Sequence, residues 1–520
     1  MKHNYSSSLR RTLSAVLLLL VSTLSWAYSS KAGGIDDFEV DGIYYYVNID
    51  RTGVVVTSSP QKYSGDIVIP STVNVDYEGK TYSVTSIGTS AFNGCTSLTS
   101  VSIPESVTSI GWSAFNGCTS LTSVSIPESV TSIGEAAFGG CSSLSSVSIP
   151  ESVTSIGVSA FSGCSSLTSI DIPEGVTSIG TSAFNGCTSL TSIDIPEGVT
   201  NIENHTFYNC SSLTSVSIPE GVTSIGWNAF RYCTSLTSVD FPESLTSIEN
   251  GAFMDCTSLV FVSIPSGVID QSAFRDCTSL VSVSILSGVT SIGSYAFEGC
   301  TSLASVSILS GVTSIGKYAF EGCTSLASIS LSEGLKRIGD RSFCGCTSLT
   351  SVSFPEGLTS IGQYTFDGCT SLTSVSFPKG LTSIGMGAFH DCTSIASIDI
   401  SSSVKNIIAG AFSGCSSLAT VVCRAEQVPS RSTMLFYNVP IDRATLYVPA
   451  SAIEAYTATA PWSRFGIILT LEDYETGIGD LPASAQGAAT ADPYYTLGGQ
   501  RVDAPVRGHI YIRSGRKVIY

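Results

Sequence analysis

Residues 95–117 read CTSLTSVSIPESVTSIGWSAFNG, and the same pattern starts again at residue 118. Cys95, Cys118, Cys141, Cys164, Cys187, Cys210, Cys233 and Cys256 stand 23 residues apart. Cys277 follows after 21 residues, and the 23-residue beat resumes through Cys300, Cys323, Cys346, Cys369, Cys392 and Cys415, making fifteen copies. Self-similarity at one fixed period is the mark of a stacked repeat architecture in which each copy is one supersecondary unit.

Within the unit, LTSVSIP and VTSIG alternate apolar residues with Ser or Thr, the period-two pattern of strands with one buried face. Pro104 ends the first strand, where its missing N–H does least harm to a ladder, and Gly111 follows the second as a turn residue. The AFNGC segment reads as a short turn or helical return. In the first unit the apolar residues that follow the pattern are Leu98, Val101, Ile103, Val107, Ile110 and Phe115, with small Ala114 before the Phe. That is too little for a lone unit to fold, so neighbours must share one core and pair their strands. The fold class expected is a repeat solenoid of about fifteen 23-residue coils, mainly short β-strands with turn or helical returns.

The order LxxLxLP, VTSIG, AFxGC over residues 84–423 resembles the BspA-like leucine-rich repeat family, the Treponema pallidum type. The resemblance implies a right-handed leucine-rich-repeat stack on proteins exported to bacterial cell surfaces, with roles in adhesion to host matrix proteins and to other bacteria. It implies no catalysis, and it carries no fixed binding motif that could be transferred residue by residue.

Residues 1–27 have a secretory layout: Lys2, Arg10 and Arg11, an apolar run, then Ser25-Trp26-Ala27 as a cleavage site. Residues 28–83 read as an N-terminal β cap, with runs at Ile43 to Ile49 and Gly53 to Thr57 and a strand-like IVIP at Ile67 to Pro70. Residues 424–475 read as a C-terminal cap containing ATLYVP, a helix-like Ser451 to Thr457, Trp462 and Phe465. Caps are expected because exposed end rungs template aggregation. Residues 476–493 read as a linker. Residues 494–520, with LGGQRV and GHIYIRSGRKV, resemble the C-terminal sorting tails of Bacteroidetes exported proteins.

The formal charge is −17, and removal of the leader, which carries three basic and no acidic residues, takes it to −20. Such a surface repels phosphate backbones and argues against nucleic acid as a partner. After the leader, no run approaches the roughly 18 apolar residues of a membrane span. The function expected is an exported, adhesin-like, non-enzymatic monomer at the cell surface or outside it, contacting host or bacterial proteins or glycans. The alternative is a surface-coat or spacer protein without a specific ligand.

Seventeen Cys in an exported chain raise the possibility of disulfides with a leftover thiol. Column neighbours one rung apart point the same way, a poor approach for the strict disulfide dihedral, which favours buried reduced thiols. Cys423 falls on an inward strand position, whereas Cys344 lies in a variable turn and is read as the reactive thiol. His205, His390 and His509 are too scattered to activate a Ser, and no metal or cofactor site is expected. Asp171, Asp194, Asp240 and Asp399 occupy an outward strand position and read as a solvated acidic face rather than a calcium site. Candidate ligand contacts concentrate at the turns. Tyr295, Tyr318, Arg341 and Tyr364 share one position in four successive rungs, and Trp112 and Trp227 share the adjacent one. Val260 and Phe261 join them, because the short repeat between Cys256 and Cys277 places them at outward strand positions where Thr and Ser are usual.

Overall fold

The computed structural model describes residues 37–75, 79–309 and 311–476, together with the backbone of four strands beyond residue 493. The expected leader at 1–27 and, apart from residue 476, the expected linker at 476–493 lie outside the described residues. The chain winds as a β-solenoid of about 17 turns with little helix, and falls into two compact units, residues 1–176 and 177–520. The division lies inside the repeat array.

In the first unit the rungs that start at Cys95, Cys118 and Cys141 each contribute two short strands, which pair in parallel with the same positions of the neighbouring rung. Ser123–Ser125 aligns with Ser146–Ser148, Val124 facing Val147, and Ser132–Ile133 aligns with Ser155–Ile156. A third contact line runs along the turns: the Ser113, Phe115 and Gly117 N–H groups donate forward to the Glu135, Ala137 and Gly139 carbonyls at 2.7–2.8 Å. The intervening N–H groups of Ala114, Asn116 and Cys118 close turns within their own rung. Alternating forward and local bonds satisfies this backbone without a helix. It also forces a left-handed residue into each turn, Ser113 at φ 51° and Ala136 at φ 50°.

The core of each rung is the set the alternation marks: Val107, Ile110, Ala114, Phe115, Cys118 and Leu121 are all buried. The Phe rings stack face to face, Phe92, Phe115, Phe138 and Phe161 at 4.9–5.4 Å with interplanar angles of 2–5°. At the N-terminal side Tyr63 caps this stack 4.7 Å from Phe92. The antiparallel strands Phe38–Val40, Ile43–Val47 and Gly53–Thr57 end in a strand that runs parallel to Lys80–Ile87. Gly65–Val68 extends the first-strand ladder, Ile67 facing Val101.

The second unit repeats these rules, with Ser215–Ser217 on Ser238–Asp240 and Asn201–Ile202 on Ser224–Ile225. The 21-residue repeat alters them. Its two missing residues are absorbed one at a time, at register shifts between Ile264 and Ser266 and between Gly267 and Val268. The corner is thereby pulled straight, and Phe261–Ile269 and Ser282–Ile292 run as unbroken strands. Gly267, at φ 87°, is required there, since a Cβ would sit 1.9 Å from the Thr246 carbonyl oxygen. At the C-terminal side Thr420–Cys423, Thr445–Val448 and Ile467–Thr470 continue the parallel ladder. Phe436 continues the ring stack from Phe412 at 5.9 Å, and buried Trp462 closes it edge-on at 5.4 Å. The Trp462 Nε1–H donates to the Ser430 carbonyl at 2.8 Å, so the ring is buried without an orphan donor. The tail strands Tyr494–Tyr495, Arg501–Val502, Ile510–Arg513 and Arg516–Ile519 form a small antiparallel sheet.

Candidate binding surface

Position in the rung decides what each outward side chain can do. Thr hydroxyls and the Ser hydroxyls at the corners are engaged within the stack. Thr122 donates to the Thr99 carbonyl, Thr237 to Thr214 and Thr382 to Thr359, at 3.5, 3.2 and 3.0 Å. At the corners Ser152 and Ser244 donate to the Val130 and Val222 carbonyls, both at 2.6 Å. The Ser/Thr bias thus supplies a side-chain hydrogen bond from rung to rung, a role that composition alone does not reveal.

The tyrosine stripe is a contiguous structure. Tyr295 and Tyr318 stack at 4.7 Å and 5°, and the Arg341 guanidinium lies over the Tyr364 ring at 4.8 Å. The Tyr364 ring leans over Gly387, whose absent Cβ would lie 2.4 Å from it. All four residues hold the left-handed backbone of the column, at φ 53–61°, and are half-buried by one another. Trp112, in the first unit, is 41% exposed and Trp227, in the second, 48%. Trp227 meets His205 edge-on at 5.0 Å.

Beside the stripe lie two ion pairs and a His–Asp contact. Arg275 pairs with Glu298 at 2.9 Å, Lys317 with Asp340 at 2.9 Å, and His390 with Asp367 at 2.8 Å. Cys344 lies 3.9 Å from both Arg341 and Asp367. Burial, then the Asp367 and Glu321 carboxylates, push its thiol up to about 11. It therefore stays protonated near neutrality, contrary to the reactive thiol expected from its turn position. The remaining cysteines are buried thiols outside any disulfide, Cys423 included, its thiol pushed up to about 11 by burial. Among the described residues no group of three or more His, Cys, Asp or Glu gathers to hold a metal ion.

The first-strand face of the short repeat differs from all of this. Val260 and Phe261 are 46% and 49% exposed, and Val281, on the next rung, 45%. The Val281 N–H donates to the Val260 carbonyl at 2.8 Å, so their side chains are immediate neighbours. Ala304 and Ala327 continue the column, each N–H donating to the carbonyl of the residue before it. Where most rungs carry Thr, these four carry no hydroxyl. Sequence reading found Val260 and Phe261 but missed Val281, although the Val and Ala in CTSLVSV and CTSLASV were the available signal.

No helix among the described residues is long and apolar enough to cross a membrane. No curated protein matches this chain. The family model for the BspA type leucine rich repeat region matches residues 80–188, 159–277, 267–362 and 336–457. Among solved structures, a leucine-rich repeat protein from Bacteroides ovatus is 33% identical over 74% of this chain and 94% of that one, with a TM-score of 0.60. A leucine rich cell surface protein from Faecalibacterium prausnitzii is 30% identical over 71% of this chain and 95% of that one, with a TM-score of 0.45. On the family match across most of its length, the chain belongs to the BspA-type leucine-rich repeat family.

Proposed function

We propose that the protein is an exported, non-enzymatic binding protein, acting at or beyond the cell surface through multivalent contacts with proteins or glycans. The observation that carries this reading is the run of neighbouring exposed apolar side chains Val260, Phe261 and Val281. An isolated exposed Val needs no explanation, but adjoining ones in a hydroxyl-bearing array mark an interaction site. The half-buried stripe at Tyr295, Tyr318, Arg341 and Tyr364 offers a second line of contacts, of the residue types that dominate interface energetics. The C-terminal residues 494–520 serve, in this reading, as a sorting tail. The test is capture of the mature protein on an array of matrix proteins, bacterial surface extracts and glycans, beside the triple variant Val260→Thr, Phe261→Ser, Val281→Thr. These substitutions install the residues other rungs use, so the variant should fold. Saturable capture that weakens at least tenfold in the variant is expected; capture unchanged by it removes the apolar column as the contact.

A spacer or coat function is favoured by one observation, the engagement of Thr122, Thr237 and Thr382 hydroxyls by neighbouring rungs. A blank array from a folded chain would select it.

A further inference from the structure

Five departures from the repeat pattern converge on one place in the second unit. Phe354 and Phe377 stand where most rungs have Ile, Lys379 in the column of Glu105 and Glu356, Asp399 where most have Ser, and Arg424 where most have Pro. At this place the first-strand ladder is interrupted. Ser328–Ser330 pairs with Ser351–Ser353 and Ser374–Ser376 pairs with Ser397–Asp399, but Ser351–Ser353 and Ser374–Ser376 belong to different sheets. Two successive Phe rings, 6.0 Å apart, supply a bulk that Ile does not. Through the opening Val352 is half-exposed, whereas its counterparts Val375 and Ile398 are buried.

At this place lies a cleft of about 400 Å³ whose lining combines the apolar Val352, Phe354 and Phe377 with Ser and charged side chains. Among these Arg424 grips Asp399 with Nε to Oδ1 at 3.0 Å and Nη2 to Oδ2 at 3.1 Å, both side chains about one third exposed. The guanidinium keeps three N–H donors and the carboxylate keeps free lone pairs. Lys379 and Glu356 also line the cleft, the Lys379 backbone N–H donating to Glu356 Oε2 at 3.2 Å. Two cations and two anions balance, in a chain of net charge −17. An anionic ligand would meet two carboxylates and a cationic one a guanidinium and an ammonium. What fits is a neutral molecule of one-ring size with an apolar C–H face and a rim of hydroxyls that both donate and accept.

The geometry points to a subsite for one ring of a neutral saccharide in this cleft. The inference rests on the reading of the protein as a binding protein, and supplies its ligand class. The test is saturation-transfer NMR on the mature protein with methyl glucopyranoside, galactopyranoside and mannopyranoside, with N-acetylneuraminic acid and glucosamine as charged comparators. Two variants accompany it: Ser376→Trp, which fills the mouth from an exposed position, and Lys379→Glu, which installs the residue of other rungs and unbalances the lining charges. Saturable binding of at least one neutral pyranoside, at least tenfold weaker in both variants, is expected. Binding equal in the variants, preference for a charged comparator, or silence of all pyranosides overturns the inference. If protein ligands are still captured through the Val260 column while the cleft is silent, the saccharide inference alone fails; silence at both surfaces fails the binding reading as well.

Discussion

The Cys118 thiol donates to the carbonyl oxygen of Phe92, 3.1 Å away. The same bond joins Cys141 to Phe115 in the first unit and Cys233 to Phe207 in the second. The repeated Cys is therefore a small apolar residue with a donor aimed at a core carbonyl of the neighbouring turn. An Ala would fill less of the space and donate nothing.

That arrangement sets an alkaline limit on stability. Burial raises the Cys210, Cys233, Cys277 and Cys300 thiols well above their ordinary value. A thiol whose folded value is raised contributes stability that is fully present below its unfolded value of about 8.5 and is lost as pH rises towards the folded value. Each such thiol costs about 1.4 kcal/mol per pH unit above that point. Urea midpoints followed by circular dichroism should be flat from about pH 6 to 8 and fall steeply above about pH 9. A profile that stays flat to pH 10.5 would rule out neutral buried thiols as a determinant of stability.

The ring stack should make damage local. Phe230 lies 5.1 Å from Phe207 and 5.0 Å from Phe253 and is fully buried. Phe230→Ala should cost about 3–5 kcal/mol, the range for deleting a core aromatic ring. Because each rung touches only its neighbours, the loss should appear as a new protease cut near residue 230 and a broadened melt. Uniform loss of stability with no local cut would contradict nearest-neighbour stacking.

Much of this fold was legible in the sequence because one physical rule is applied many times. The alternation in LTSVSIP and VTSIG and the Cys beat gave the strands, the buried faces and the repeat. What remained hidden depends on relations between rungs. The left-handed backbone at Ser113 and Tyr295 comes from the alternating forward and local N–H bonds, and only Gly251, Gly387, Gly410 and Asn228 in that column hint at it. The opening beside Phe354 depends on where the ladder between neighbouring rungs yields, a relation that no single repeat displays. Tyr63 was hidden for a similar reason: its ring meets Phe92 at the end of the Phe stack only once the segment that carries it has folded against the first rung. Val260 and Phe261 could be found because a shortened repeat drew attention to them, whereas Val281 sits in a repeat of normal length.

The left-handed column offers a gain in stability. Ala136 holds φ 50°, which costs an L-residue roughly 1–2 kcal/mol relative to Gly, part of it offset by the greater entropy that Gly brings to the unfolded chain. The column already accepts Gly at Gly251 and Gly387, at φ 65° and 58°. Ala136→Gly should therefore raise stability by about 0.5–1 kcal/mol, read as a higher urea midpoint with an unchanged slope. A lower midpoint would mean that the backbone there is not held in the left-handed region.

The tyrosine stripe separates packing from recognition. Tyr295 and Tyr318 spend one face of each ring on the other, and Ser occupies the same position at Ser113 and Ser272. Replacing Tyr295, Tyr318 and Tyr364 by Ser keeps a residue this backbone already accepts, and removes a stacked pair and the ring under Arg341. The loss should be about 0.5–1.5 kcal/mol for the aromatic pair, too little to unfold the chain. Captured ligand should fall in parallel, because the exposed ring edges and the freed guanidinium lose their fixed geometry. Binding measured well below the melting temperature keeps the two effects apart. Reduced stability with undiminished capture would assign the stripe to the stack alone and leave the Val260 column and the Phe354 cleft as the surfaces to test.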